Sequence, residues 1–182
     1  MSKIFFASLI FCLTVSGCFW SSTRPKPGFE HAKTMSVEVL HSDVLARGGA
    51  ILVEPFRAGP DAEATPVLDR FALLIVKGAV DALDNEGGRL SYRASDSPGK
   101  ADFVIEGHID QFKVPGTVDK MMLKKEATIR IKGELRDLKS GEIIALVYDQ
   151  RNLINDPKGR EMAAYAIGVD MVRELVRQGV QP

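Results

Sequence analysis

The sequence predicts an α/β protein of the α+β sandwich type: a mostly antiparallel sheet of four to five strands with two main helices packed on one face. Three observations predict it. Residues 101–113 and 127–138 alternate apolar and charged side chains with period two. Thr65-Pro66 opens a stretch whose apolar residues recur at helical spacing, and a second such stretch begins near Asp156-Pro157.

The elements follow in order. Residues 35–45 read two ways, as a short strand through Val37, Val39 and Leu40 or as a turn of helix starting near Leu45. Residues 50–56 (AILVEPF) form an apolar run broken by proline, the pattern of a buried strand. Residues 57–64 are expected as loop, with Gly59-Pro60 as the breaker. Thr65 then supplies an N-cap and Pro66 the first helical position, with Val67, Phe71, Leu74, Ile75, Gly78 and Ala82 toward the core and Gly87-Gly88 as the stop. A short strand is expected over residues 90–94.

In residues 101–113, Phe103, Ile105, Gly107 and Ile109 share one face, and Glu106, His108 and Asp110 the other. Residues 127–138 set Ile129, Ile131, Gly133 and Leu135 against Arg130, Lys132, Glu134 and Arg136. The two runs are expected to pair antiparallel with Glu106 opposite Lys132 and Asp102 opposite Arg136, placing Ile105 over Gly133 and Ile131 over Gly107. A turn at Ser140-Gly141 leads to a strand over residues 143–148. The last helix has Ala164, Ile167, Gly168, Met171, Val172 and Leu175 on one face, and Gly179 is expected to end it.

The N-terminus carries the most specific signal. Lys3 precedes an apolar run from Ile4 to Val15, too short for the ~20 residues a membrane span needs. Val15-Ser16-Gly17-Cys18 resembles the bacterial lipoprotein lipobox. That resemblance implies cleavage after Gly17 and lipidation of Cys18, the cysteine thiol and new amine carrying two or three acyl chains that together anchor stably. Phe19, where an aspartate is absent, implies transfer to the outer membrane, with Phe19 and Trp20 at headgroup level. The expected organisation is a signal peptide (1–17), a lipidated tether and irregular lead-in (18–47) and a single α/β domain (48–180).

Composition narrows the function. Lysine plus arginine equals aspartate plus glutamate, 24 against 24, which argues against nucleic acid as a partner. The two cysteines, Cys12 and Cys18, are both consumed by the processing just described, so thiol catalysis and thiolate metal sites are not expected. No nucleophile-elbow, zinc-protease, phosphate-loop or dinucleotide motif is present. His31, His41 and His108 are scattered singly. The row Glu106, His108, Asp110 is the one arrangement with acid–base potential, and it reads more simply as a solvated strand face paired with Arg130, Lys132 and Arg136. Tyr148, Asp149 and Arg151 are the next candidates, with Asp149 and Arg151 expected as a surface ion pair. Lys120 to Lys125 (KMMLKK) reads as a hairpin tip, with membrane or partner contact through Met121, Met122 and Leu123 as the alternative. Neither a metal nor a cofactor is expected, and no catalytic residue is assigned.

The segments ILVEPF (51–56), ADFVIEGHI (101–109) and DLKSGEII (137–144) resemble those of a group of bacterial envelope lipoproteins. That group includes the curli-export lipoprotein, the Pel-polysaccharide export lipoprotein and domains like the amino-terminal domain of TolB. The resemblance implies a non-enzymatic outer-membrane lipoprotein, its domain facing the periplasm, serving as an accessory subunit in envelope assembly or export of polymer or protein. It implies protein partners and leaves homo-oligomerisation open. A periplasm-facing module binding a small lipid or glycan is the alternative. Residues 114–126 are too few for two membrane-spanning strands and a turn, so a pore made by this chain alone is not expected.

Overall fold

The computed structural model describes residues 35–62, 64–93, 98–113, 127–153 and 157–180. The signal and lipidation positions Gly17 and Cys18, the tether and the KMMLKK segment lie outside the described residues. The elements are β1 (Ser36–Val39), α1 (Ser42–Arg47), β2 (Gly49–Val53), β3 (Arg57–Ala58), α2 (Pro66–Glu86), β4 (Leu90–Tyr92), a 3₁₀ turn (Pro98–Lys100), β5 (Phe103–Lys113), β6 (Ala127–Asp137), β7 (Ile143–Leu153) and α3 (Pro157–Val180). They build one sheet of order β1-β7-β6-β5-β2-β4, with β3 added beside β5. The α+β class and the helix-covered face are as expected, with seven strands in place of four to five.

The three long strands β5, β6 and β7 form the expected antiparallel meander, β7 running past its expected end at Tyr148 to Leu153 because Ala127–Ile131 of β6 pairs with residues 149–153. The additions are short. Both readings of residues 35–45 are realised in sequence: β1 pairs antiparallel with β7, and α1 follows it and buries Leu45. β2, β3 and β4 pair in parallel, β2 between β4 and β5. Arg57 and Ala58, expected in a loop, are the two residues of β3.

The helix caps are as the sequence specifies. Thr65 Oγ1 accepts the Leu68 N–H at 3.2 Å, Pro66 opens α2, and the Gly87 N–H donates back to Leu83 at 3.2 Å. The buried stripe is Leu68, Phe71, Ala72, Ile75, Gly78, Ala79, Ala82 and Leu83; Val67, expected inside, is 50% exposed because the stripe begins one residue later. In α3 all six expected core residues are buried, but Gly179 lies within the last turn and does not stop the helix.

The two long helices run parallel. Arg70 meets Glu161 at 3.0 Å near their starts, and Arg173 donates to Glu86 at 2.6 Å toward their ends. Between these pairs, Gly78 and Gly168 let the backbones touch. A Cβ on Gly78 would collide with the Tyr165 carbonyl, and one on Gly168 with that of Ile75. Backbone atoms cannot swing aside as a side-chain tip can. Gly168→Ala is therefore expected to destabilise the domain by about 1–3 kcal/mol despite alanine's better helix propensity, as denaturant unfolding will show.

The β5–β6 register differs from the expected one by two residues. Gly107 pairs with Gly133, Glu106 with Glu134 and His108 with Lys132. A shift of two preserves the faces, so Phe103, Ile105, Ile129 and Ile131 are all buried as expected. The glycine pair explains the shift: Phe56 lays its ring over both, 2.6 Å from a Cβ built on Gly107 and 3.1 Å from one on Gly133. Aligned glycines make one ring-sized hollow, whereas staggered glycines would make two small ones. A bulge between Ile109 and Gln111 then returns Phe112 to the core side, opposite Ile129 and against Phe71 with ring centroids 4.8 Å apart.

Candidate interaction face and a buried charge cluster

Alternation assigns every second residue of the meander to the face that α2 and α3 leave uncovered. Reading the register across that face gives two rows perpendicular to the strands. In the first, Glu38 on β1 is opposite Leu146 on β7, Leu146 opposite Glu134 on β6, and Glu134 opposite Glu106 on β5. Glu54 continues it: Val53 pairs with Ile105, and the Glu54 N–H donates to the Ile105 carbonyl at 2.9 Å. One pleat away, ~7 Å along the strands, the second row runs Ser36, Tyr148, Lys132, His108 and Arg57. The first row is acidic and the second basic, with Leu146 and Tyr148 as their apolar and aromatic members.

Between the rows lies a depression of about 430 Å³, rimmed by Glu54, Arg57, Glu106, His108, Glu134 and Tyr148 among others. Like charges directly opposite on neighbouring strands are unfavourable, so the Glu106–Glu134 pairing needs compensation. Arg136 supplies it, contacting Glu106 at 3.1 Å and Glu134 as well. The Glu106 contact first and the Glu134 contact second hold the Arg136 guanidinium further above its already high ordinary pKa. Lys132 reaches Asp110 at 2.8 Å, and that hydrogen bond raises the lysine in turn.

The structure thus separates the predicted Glu106, His108, Asp110 row. Glu106 and Asp110 are each taken by a cation from β6, as expected of a solvated strand face, and His108 joins the basic row opposite Lys132. Among the described residues no three metal-ligating side chains come together to hold an ion. Glu54 and Arg57 join this face through the parallel strands, which the sequence pattern does not reveal, whereas Glu134, on the charged side by alternation, is brought opposite Glu106 by the register.

Asp149 and Arg151 are not a surface pair. Asp149 is 2% and Arg151 6% exposed, because residues 145, 147, 149 and 151 of β7 share the core-facing side and α3 lies over them. Arg151 Nε donates to Asp149 Oδ2 at 2.7 Å and its Nη2 to Asp170 of α3 at 2.9 Å, tying the end of β7 to the helix. Burial pushes the Asp149 carboxyl above its usual range, partly opposed by Arg151. Asp149 Oδ1 has no hydrogen-bond partner among the described residues. Tyr148 points the opposite way, into the open depression, so the three candidates do not form one site.

No protein-family model and no curated protein sequence matches the chain. Among solved structures, the chain is similar to the PelC dodecamer from Paraburkholderia phytofirmans, with 17% identity over 78% of this chain and 96% of that one and a TM-score of 0.54. A single-substitution variant of the same Paraburkholderia phytofirmans dodecamer matches with 18% identity over 79% and 98% of the two chains and a TM-score of 0.56. The likeness spans nearly the whole of those chains, and what it shows is a shared fold.

Proposed function

We propose that this chain is an envelope lipoprotein of the Pel-export and curli-export kind. It is cleaved after Gly17, anchored to the outer membrane through lipidated Cys18, and holds one α/β domain in the periplasm. It acts without chemistry of its own, as an accessory subunit in the assembly or export of polymer or protein. The observation that carries this reading is the uncovered sheet face, on which an acidic and a basic row flank an open depression. The fold of the PelC structures supports it, as does the absence, among the described residues, of a helix long and apolar enough to span a membrane. Storage of a small lipid is less well supported: the backbones of α2 and α3 touch at Gly78 and Gly168, and the 430 Å³ depression is open and charged, on the opposite side of the sheet from the helices.

The anchor is the first test. Cys18→Ala is expected to abolish labelling by radioactive palmitate and to remove the protein from outer-membrane fractions. Retained label and unchanged fractionation would overturn the reading. Crosslinking in intact envelopes, followed by purification of the tagged chain, then identifies what the domain touches.

A further inference from the structure

We infer that the depression on the uncovered sheet face receives one ring of an uncharged glycan chain, which lies between the acidic and basic rows against Tyr148. This rests on the accessory-subunit reading and names the chemistry of the polymer its face meets. Charge sets the first condition. Arg136 is taken by Glu106 and Glu134, Lys132 by Asp110, and Arg57 lies 3.8 Å from Glu54. These groups answer one another within the chain, so a charged partner would have to displace a contact already made. What the pairs leave available is hydrogen bonding. An ionised carboxylate has about four acceptor positions and an ammonium three donors, so a group engaged by one partner keeps capacity for another. Its ion pair also holds it in place, which lowers the cost of ordering it on binding.

The arrangement of that capacity selects a ring bearing hydroxyls. Acceptors line one side of the depression at Glu54, Glu106 and Glu134, and donors the other at Arg57, His108 and Lys132, ~7 Å away along the strands. A hydroxyl both donates and accepts, so hydroxyls on opposite edges of one ring satisfy both sides without adding charge. An acyl tail satisfies neither. Tyr148, 39% exposed, and Leu146 give the depression its apolar side. An aromatic ring with a polar tip suits the C–H face of a sugar, the phenol remaining free to join the hydrogen bonds.

The depression, at about 430 Å³, is within the ~300–1,000 Å³ usual for ligand sites, yet it lacks their enclosure. It therefore suits one unit of a chain that continues past both ends, and not a small molecule kept inside. A single open site of this kind holds weakly. Several copies on one membrane, each gripping a unit of the same chain, hold it far more firmly through effective concentration.

The test uses the full-length lipidated chain in phospholipid nanodiscs, free of sugar-based detergents. Neutral linear hexamers of glucose, mannose, galactose and N-acetylglucosamine are the probes, with an uncharged Gly-Ser peptide, polylysine and polyglutamate for comparison. At least one hexamer is expected to receive saturation transfer from the protein by NMR, with little dependence on salt. Tyr148→Ala should weaken that binding by about tenfold, and Tyr148→Phe should retain most of it. His108→Ala, on the opposite side of the depression, should weaken it by about threefold and serves if Tyr148→Ala does not fold. Met162→Ala, exposed on the helix layer, should leave it unchanged. If no hexamer binds, if binding survives both alanine substitutions on the face, or if a peptide binds in preference, a neutral glycan does not occupy this depression. That result would leave the lipoprotein reading intact, since the latter turns on the Cys18→Ala fractionation.

Discussion

Arg151→Met is expected to destabilise the domain by about 3–5 kcal/mol, the usual cost of leaving a buried carboxylate without its cation. Asp149 is almost wholly enclosed and takes its ion pair from Arg151, and Asp170 loses the same partner. Replacing both charges tells a different story: Asp149→Leu with Arg151→Met removes the desolvation cost along with the attraction and should recover most of the loss. Chemical denaturation of the three proteins separates these outcomes, and a single variant as stable as wild type would show that water reaches the cluster.

The cluster also carries a pH signature. Asp149 has a folded pKa raised above its ordinary value by burial. Its contribution to stability is therefore complete below the ordinary aspartate range and is lost as pH rises through the elevated folded value. Stability followed from acid toward neutral pH should fall less steeply in Asp149→Asn and more steeply in Arg151→Met.

The second large effect is expected at Phe56. Phe56→Ala should cost about 3–5 kcal/mol, since the ring fills a hollow floored by two glycines that have no side chain to collapse inward. The rescue is asymmetric. A methyl added at Gly133 meets chiefly the Phe56 ring, so Gly133→Ala fits once the ring is gone and should return part of the loss. A methyl at Gly107 meets the Lys132 carbonyl and the Gly133 Cα, so Gly107→Ala should add to the damage. Thermal unfolding of the two double variants checks this; equal rescue by both would mean that the strands part freely at this point.

The elements whose inward and outward faces are most legible in the sequence are those long enough to repeat a period several times. β5 and β6 run 11 residues each and α2 and α3 run 21 and 24, so alternation and helical spacing have room to repeat. β1, β3 and β4 have four, two and three residues, two full alternations at most. Their pairing is decided by neighbouring strands and leaves no local mark. The register departs from the charge-matched one because shape outweighs opposite charge. Pairing Glu106 with Lys132 is worth a few tenths of a kcal/mol up to about 1, while seating the Phe56 ring over aligned glycines is worth several times that. Arg136 then absorbs the like-charge penalty. The burial of Asp149 and Arg151 was within reach, because they share parity with Ala145 and Val147, which are buried. Their partner Asp170 was not, since nothing in a helix sequence announces which strand its flank will cover.

The order of the elements along the chain sets the order in which the domain can close. β1, the first described strand, pairs with β7, the last, and α3 follows both. A chain emerging N-terminus first can form the β5–β6–β7 meander early, from contacts between neighbours in sequence. Its apolar face, with Ile131, Leu135, Ile144 and Val147, then waits for Ala163, Ile167, Met171 and Leu175 to arrive. Arg151 likewise waits for Asp170. Until the final helix docks, the chain is a half-covered sheet whose Asp149–Arg151 pair is still open to water. On the signal-peptide reading proposed above, such a sequence suits a polypeptide threaded through a membrane before it folds, the last turns of helix acting as the catch.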